Sequence, residues 1–202
     1  MQDAKTRATQ KLYDEHRSIS AILSGLRELA RAAGDPQVRP EFPVLAAMIR
    51  YIDAFPERSH HPKEEQFFFQ PLERLAPDAA RPILATLRAQ HHDGEKLVRE
   101  LERSLLGLEV AAGTAQAEAF RAAVDRYADF HWNHMRMEER EMLPLAERAF
   151  GEEDWRRAAE AFEGNADPIA ESRDDFARLF ARIVNLAPAP VGLGEPWKRV
   201  RA

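Results

Sequence analysis

Two segments of this chain, HHPKEEQFFFQ (residues 60–70) and HMRMEEREMLP (134–144), repeat one pattern 74 residues apart. Each has a histidine, three residues, two glutamates and, three residues on, an apolar pair. An earlier pair aligns as well, LYDEHRSI (12–19) with LRAQHHDG (87–94), which sets His16 against His91 at a spacing of 75. Fixed-period self-similarity of this kind means equivalent structural units. Each unit supplies one lone histidine and one His-x-x-x-Glu: His16 with His60 and Glu64, then His91 with His134 and Glu138. In a helix, positions i and i+4 lie on one face, so each His-x-x-x-Glu can reach a single place. The lone histidine precedes its partner motif by 44 or 43 residues. That suits a chain running to the end of one helix and returning along the next to similar depth.

The apolar spacing agrees. Leu12, Ile19, Ile22, Leu23, Leu26 and Leu29 form one stripe, closed by Gly34-Asp35-Pro36. Leu45, Met48, Ile49, Ile52 and Phe55 form a second, which runs into His60, Glu64 and Phe67 or Phe68. A third carries Ile83, Leu84, Leu87, His91, Leu97, Leu101 and Leu105, and a fourth Phe120, Val124, Tyr127, His131, His134, Glu138 and Leu145. Spans of roughly 30 residues give helices of about 45 Å, and no strand pattern is evident. The expected fold is all-α: an up-down-up-down four-helix bundle over residues 1–150, followed by a helical extension and tail over 151–202. The extension carries Trp155, Phe162, Ile169, Phe176, Leu179, Phe180 and Ile183 on its apolar face, with a break at Gly164 to Pro168. The last stretch, APAPVGLGEPWKRVRA, reads as an extended tail that packs on or near the bundle.

Composition removes several classes of chemistry. There is no cysteine, so disulfides, thiolate metal sites and cysteine nucleophiles are excluded. The formal charge of −5 argues against a nucleic-acid partner. Neither a signal peptide nor an apolar run long enough for a membrane span is present, so a cytoplasmic location is expected. No Gly-rich phosphate loop or serine motif stands out. What remains is the set His16, His60, Glu64, His91, His134 and Glu138. Four imidazoles and two carboxylates suit a pair of borderline transition-metal ions bridged by the glutamates. Calcium or magnesium would call for more oxygen ligands.

This order of residues resembles the hemerythrin-like family of histidine-histidine-glutamate cation-binding domains, over residues from about 8 to 150. The resemblance implies that His16, His60, Glu64, His91, His134 and Glu138 hold two iron ions in a non-haem di-iron centre. Glu64 and Glu138 would bridge them, with an oxo or hydroxo group between. It also implies a small diatomic ligand, oxygen or nitric oxide, and a redox or protein partner of unknown identity. Two positions depart from the oxygen carriers of the family. Their further histidine one turn after the lone histidine of the third helix is Glu95 here, and their aspartate five residues after the last histidine is Glu139. The set is similar to the branch that responds to nitric oxide or repairs iron centres. A storage module that binds iron without turnover is the alternative, and a structural bundle with a polar core is a third reading.

The neighbouring residues carry weaker expectations. His131 lies on the inward stripe, one turn before His134, and reads as lining the pocket or supporting a ligand. His61 and His92 each follow a ligand histidine and point about 100° away, so surface or helix-contact roles are expected. A register shifted by one residue would instead pair His61 with Glu65. Glu65 and Glu139 are expected in surface or interhelical ion pairs. Glu95 is open between ligand, proton carrier and polar contact. Tyr13 and Tyr127 read as packing or pocket lining, and Phe67, Phe68 and Phe69 as an apolar cover. The methionines form no metal-binding set. Pro62 predicts a local kink.

Overall fold

The computed structural model describes residues 3–111, 113–164, 180–189 and 191–194. The expected helical stripes form four rods. The first is α1 (Ala4–Ala32), opened by Asp3, whose carboxylate accepts from the Thr6 N–H at 2.7 Å. The second, over 42–75, comprises α2 (Phe42–Ile52), a π-helical stretch Asp53–His60, α3 (His61–Glu64), a second π-helical stretch Glu65–Phe69 and α4 (Gln70–Leu75). Ala76 alone joins it to the third, α5 (Pro77–Val110). The fourth contains α6 (Thr114–Met137), the π-helical Glu138–Met142 and α7 (Leu143–Ala149). A further helix, α8 (Glu152–Glu163), stops at Gly164, whose φ of 87° lies in the left-handed region that glycine adopts freely. The break expected there is borne out at Gly164; residues 165–179, including Ile169, Phe176 and Leu179, lie outside the described residues.

The three π-helical stretches have a common local cause. Each ends in an N–H bonded five residues back: His61 to Pro56, Gln70 to Glu65, Leu143 to Glu138. Each of those residues directly precedes a proline, namely Pro62, Pro71 and Pro144. A proline ring lacks the N–H for its own bond and crowds the carbonyl four residues back. Widening the preceding turn relieves the crowding, so the chain stays helical, and His61 itself keeps φ −57° and ψ −42°. The kink expected at Pro62 is therefore a widened turn. Such π-turns concentrate at functional sites.

α1 packs on α2, α6 and α8, and α5 packs on α2 and α6. Buried apolar side chains fall into two clusters. Along α1 the chain passes from one (Ala8, Leu12) through His16 to the other (Ile19 to Ala30). The second rod runs the opposite way, from Val44–Ile52 to Phe68–Leu72. α5 repeats the order of α1, and the fourth rod that of the second. The histidines and glutamates of the repeat thus form a polar layer between two apolar ones.

α8 closes the cluster that contains Phe68. Phe162 is fully buried, with its ring 5.7 Å from Phe68 and 6.2 Å from the His60 imidazole. The Arg7 guanidinium donates to both Glu163 oxygens, at 2.8 and 3.0 Å. Replacing Phe162 by Ala leaves a cavity beside His60 and is expected to cost about 3–5 kcal/mol. Urea unfolding of the two chains measures it; a change under 1 kcal/mol would show that α8 is dispensable to this core. Residues 180–186 form another helical segment. Ile183, Ala187 and Val191 pack into the opposite cluster, so the described part of the expected tail is anchored there. Trp197 lies outside the described residues.

Candidate metal centre

The polar layer is assembled from all four rods. His16 comes from α1, Glu64 closes α3, His91 lies in α5, His134 lies in the last turn of α6, and His60 and Glu138 sit at the edges of π-turns. His60 Nε2 is 3.2 Å from Glu64 Oε1, and His16 Nε2 is 3.3 Å from Glu138 Oε2. On the other side, His134 Nε2 is 3.0 Å from Glu138 Oε1, and His91 Nε2 is 3.6 Å from Glu64 Oε2. Each carboxylate therefore presents one oxygen to His16 and His60 and the other to His91 and His134. Two groups of potential donor atoms result, each within 4.8 Å: His16, His60, Glu64 and Glu138, then His61, Glu64, His91 and His134.

The far side of each ring is equally ordered. Nδ1 of His60 meets Glu15 at 2.7 Å, and Nδ1 of His134 meets Gln90 at 2.9 Å. Nδ1 of His16 meets Glu139 at 2.8 Å, and Nδ1 of His91 meets Glu65 at 3.3 Å. These outer partners obey the repeat too, since Glu15 and Gln90 are 75 apart, and Glu65 and Glu139 are 74 apart. The second glutamate of each motif orients the lone histidine of the other half. Holding Nδ1 this way fixes the ring and turns Nε2 inward, the arrangement that metal-binding histidines use.

Inward, nothing within the described residues completes the hydrogen bonding. Nε2 of His16, His60, His91 and His134 and all four carboxylate oxygens of Glu64 and Glu138 are buried without a hydrogen-bond partner. Buried carboxylates are costly unless compensated, and this donor set fits divalent transition-metal ions. Protons compensate otherwise. Burial works against the imidazoliums, but Glu138, Glu139 and Glu64 hold His16 well above its ordinary pKa. Glu138, Glu64 and Glu65 likewise outweigh burial and raise His91 to about 11. Burial and mutual repulsion would raise Glu64 and Glu138, yet the surrounding imidazoles hold both well below the usual carboxylate range.

The sequence model of the hemerythrin HHE cation-binding domain matches residues 7–146. The chain belongs to the hemerythrin family. No curated protein matches it significantly. The family is one of cation-binding domains, and the His and Glu groups that the fold gathers in the polar layer could hold a metal. No helix among the described residues is long and apolar enough to cross a membrane.

Around this hemerythrin centre several neighbours depart from the sequence expectation. Of the two roles expected for His61, surface or helix contact, the structure shows the second: the ring is buried and stacks on His91 of α5 at 4.1 Å. The widened turn before Pro62 explains it, because the 100° step of an ideal helix does not hold there. Glu65 does pair with Arg88 at 2.9 Å, but it and Glu139 also stand behind Nδ1 of His91 and His16, a role that the α-helical register concealed. His131 lines the site, fully buried beside Tyr127, His61 and His134. His92 and Glu95 are exposed; Glu95 belongs to neither donor group and stands at the rim of a cleft. That cleft, about 630 Å³, is lined by Glu57, His61, Glu65, Arg88 and His91 among others. Tyr127 is more than packing: its hydroxyl donates to Glu57 at 2.8 Å.

Proposed function

We propose that this hemerythrin domain holds two iron ions, one between His16 and His60 and one between His91 and His134, with Glu64 and Glu138 reaching both. The bundle that carries them runs up-down-up-down over residues 1–150, a reading supported by the alternating order of the two apolar clusters along successive rods. The observation that carries the metal reading is the set of buried, unpartnered Nε2 and carboxylate oxygen atoms, every one facing the same layer. Two irons there would supply one-electron chemistry and a coordination position for oxygen or nitric oxide.

The residues around them suit a small ligand. The cleft leads to His61 and His91, and Phe69 stacks on the His91 ring at 5.4 Å. Phe162 and Phe68 seal the His60 side. Redox response, sensing or iron-centre repair are the roles this reading covers, and gas binding at iron is the part of it that can be tested directly.

The test is iron content with an optical spectrum, taken on anaerobic reduced protein before and after air and nitric oxide. Two irons per chain and a near-ultraviolet band that responds to the gas are expected. Two irons with no response to either gas would favour storage, and failure to take up iron would remove the reading.

A further inference from the structure

We infer that His61 is a seventh metal donor, so that the two ion positions differ: one is held by two imidazoles and the other by three. The inference rests on the di-iron reading above and extends it.

The case begins with what separates a ligand histidine from a buried one in this layer. His16, His60, His91 and His134 share one signature, an oxygen partner behind Nδ1 and a buried, unpartnered Nε2. His61 shares the second feature and approaches the first, with a carboxylate at ion-pair distance behind Nδ1 where the other four have a hydrogen bond. Its Nδ1 lies 3.3 Å from Glu57 Oε2, and its Nε2 is buried and without a hydrogen bond. Its donor atom falls within 4.8 Å of those of Glu64, His91 and His134. His131 is as deeply buried, yet both its ring nitrogens lack partners among the described residues, so nothing orients it as a ligand. Burial alone does not reproduce the signature.

Glu57 is seated for this task. Its other oxygen accepts from the buried Tyr127 hydroxyl at 2.8 Å, which fixes the carboxylate. It also lies against Gly94, where an added Cβ would fall 2.9 Å from Oε1 and 3.0 Å from Oε2. Gly94 stands inside α5, where glycine is unfavourable by about 1 kcal/mol relative to alanine. The need to admit the Glu57 carboxylate accounts for it.

The repeat shows that the device serves one ion position only. Counting 74 residues on, His61 corresponds to Met135 and Glu57 to His131. Counting 75 back, Gly94 corresponds to Ile19. The position at His16 and His60 thus has neither a third imidazole, nor the carboxylate behind it, nor the space for that carboxylate, because Met135, His131 and Ile19 stand at the equivalent places. His61 also lines the cleft, so the three-imidazole position is the one nearest solvent.

Anaerobic titration of the metal-free full chain with ferrous iron, followed by Mössbauer spectra, tests this. Wild type is expected to bind two ions that give two distinct doublets of equal area. His61→Ala is expected to weaken one equivalent more than tenfold, leave the other unchanged, and alter one doublet only. Gly94→Ala, which displaces Glu57 without touching a donor, should weaken the same equivalent by roughly 10–100-fold, as losing an outer partner does. Glu57→Gln, which keeps an acceptor, should lose less than Glu57→Ala. Should His61→Ala or Gly94→Ala disturb the fold, the Glu57 pair still decides. Two ions bound with wild-type affinity and unchanged doublets in all these variants would overturn the inference while leaving the di-iron reading intact. A wild-type chain that binds fewer than two ions would remove both.

Discussion

Glu64→Ala and Glu138→Ala are each expected to abolish binding of both ions, not one. Glu64 lies 3.2 Å from His60 Nε2 through one oxygen and 3.6 Å from His91 Nε2 through the other. Glu138 spans His134 and His16 at 3.0 and 3.3 Å. Removing either carboxylate withdraws an anionic donor from both positions and leaves the imidazoles to repel one another. The loss should exceed the roughly 10–100-fold in affinity that removing an outer partner costs. Glu65→Ala and Glu139→Ala, which touch only Nδ1 of His91 and His16, supply that milder comparison. Iron per chain after gel filtration is the measurement. A Glu64→Ala chain that retains two irons would show that the carboxylates do not bridge.

The second large effect is a pH-dependent gain in stability on loading. Without metal, the carboxylates of Glu64 and Glu138 favour protons on His16, His60 and His91, whose pKa values are raised. A histidine whose folded pKa is raised stabilises fully below its unfolded value of about 6.5, and that contribution is lost as pH rises through the folded value. For His91 the loss runs up to about 11; His16 and His60 shift in the same direction. Glu64 and Glu138, held low, contribute above about 4.5 and lose that contribution as pH falls through their depressed folded values. Metal ions displace the imidazole protons, so binding weakens as pH falls. The melting temperature of loaded protein should therefore exceed that of metal-free protein by more at pH 8 than at pH 6. At an ion concentration near a thousand times Kd the gain is about 4 kcal/mol, or roughly 10 °C for a chain of this size. Paired thermal melts at the two pH values decide it, and an equal gap at both would mean that protons and metal do not compete for these rings.

Much of the site was legible because its logic is periodic. His60 and Glu64, like His134 and Glu138, stand four apart on a helix, and the 74- and 75-residue repeats recovered His16 and His91 with no tertiary information. The four helical stripes, the break at Gly164 and the Phe68 and Phe69 cover followed from the same reasoning. For His61 the helix contact held and the surface alternative failed, because ideal helical geometry was carried through Pro62. A usable signal was present: His61, Gln70 and Leu143 each precede a proline, and each closes a π-turn. Glu57 gave no such sign, since its seat depends on Gly94 and Tyr127, which are distant in sequence.

The amino-acid order by itself therefore determined which six side chains share a face and how many helices must carry them, because both depend on spacing along one helix. Only the tertiary structure decided which oxygen stands behind which ring, that the His61 ring stacks on His91, and where a cleft meets the layer. Those depend on contacts between helices. The crossing of Glu65 to His91 and Glu139 to His16, and the close approach of Glu57 to Gly94, exist only once the rods have packed.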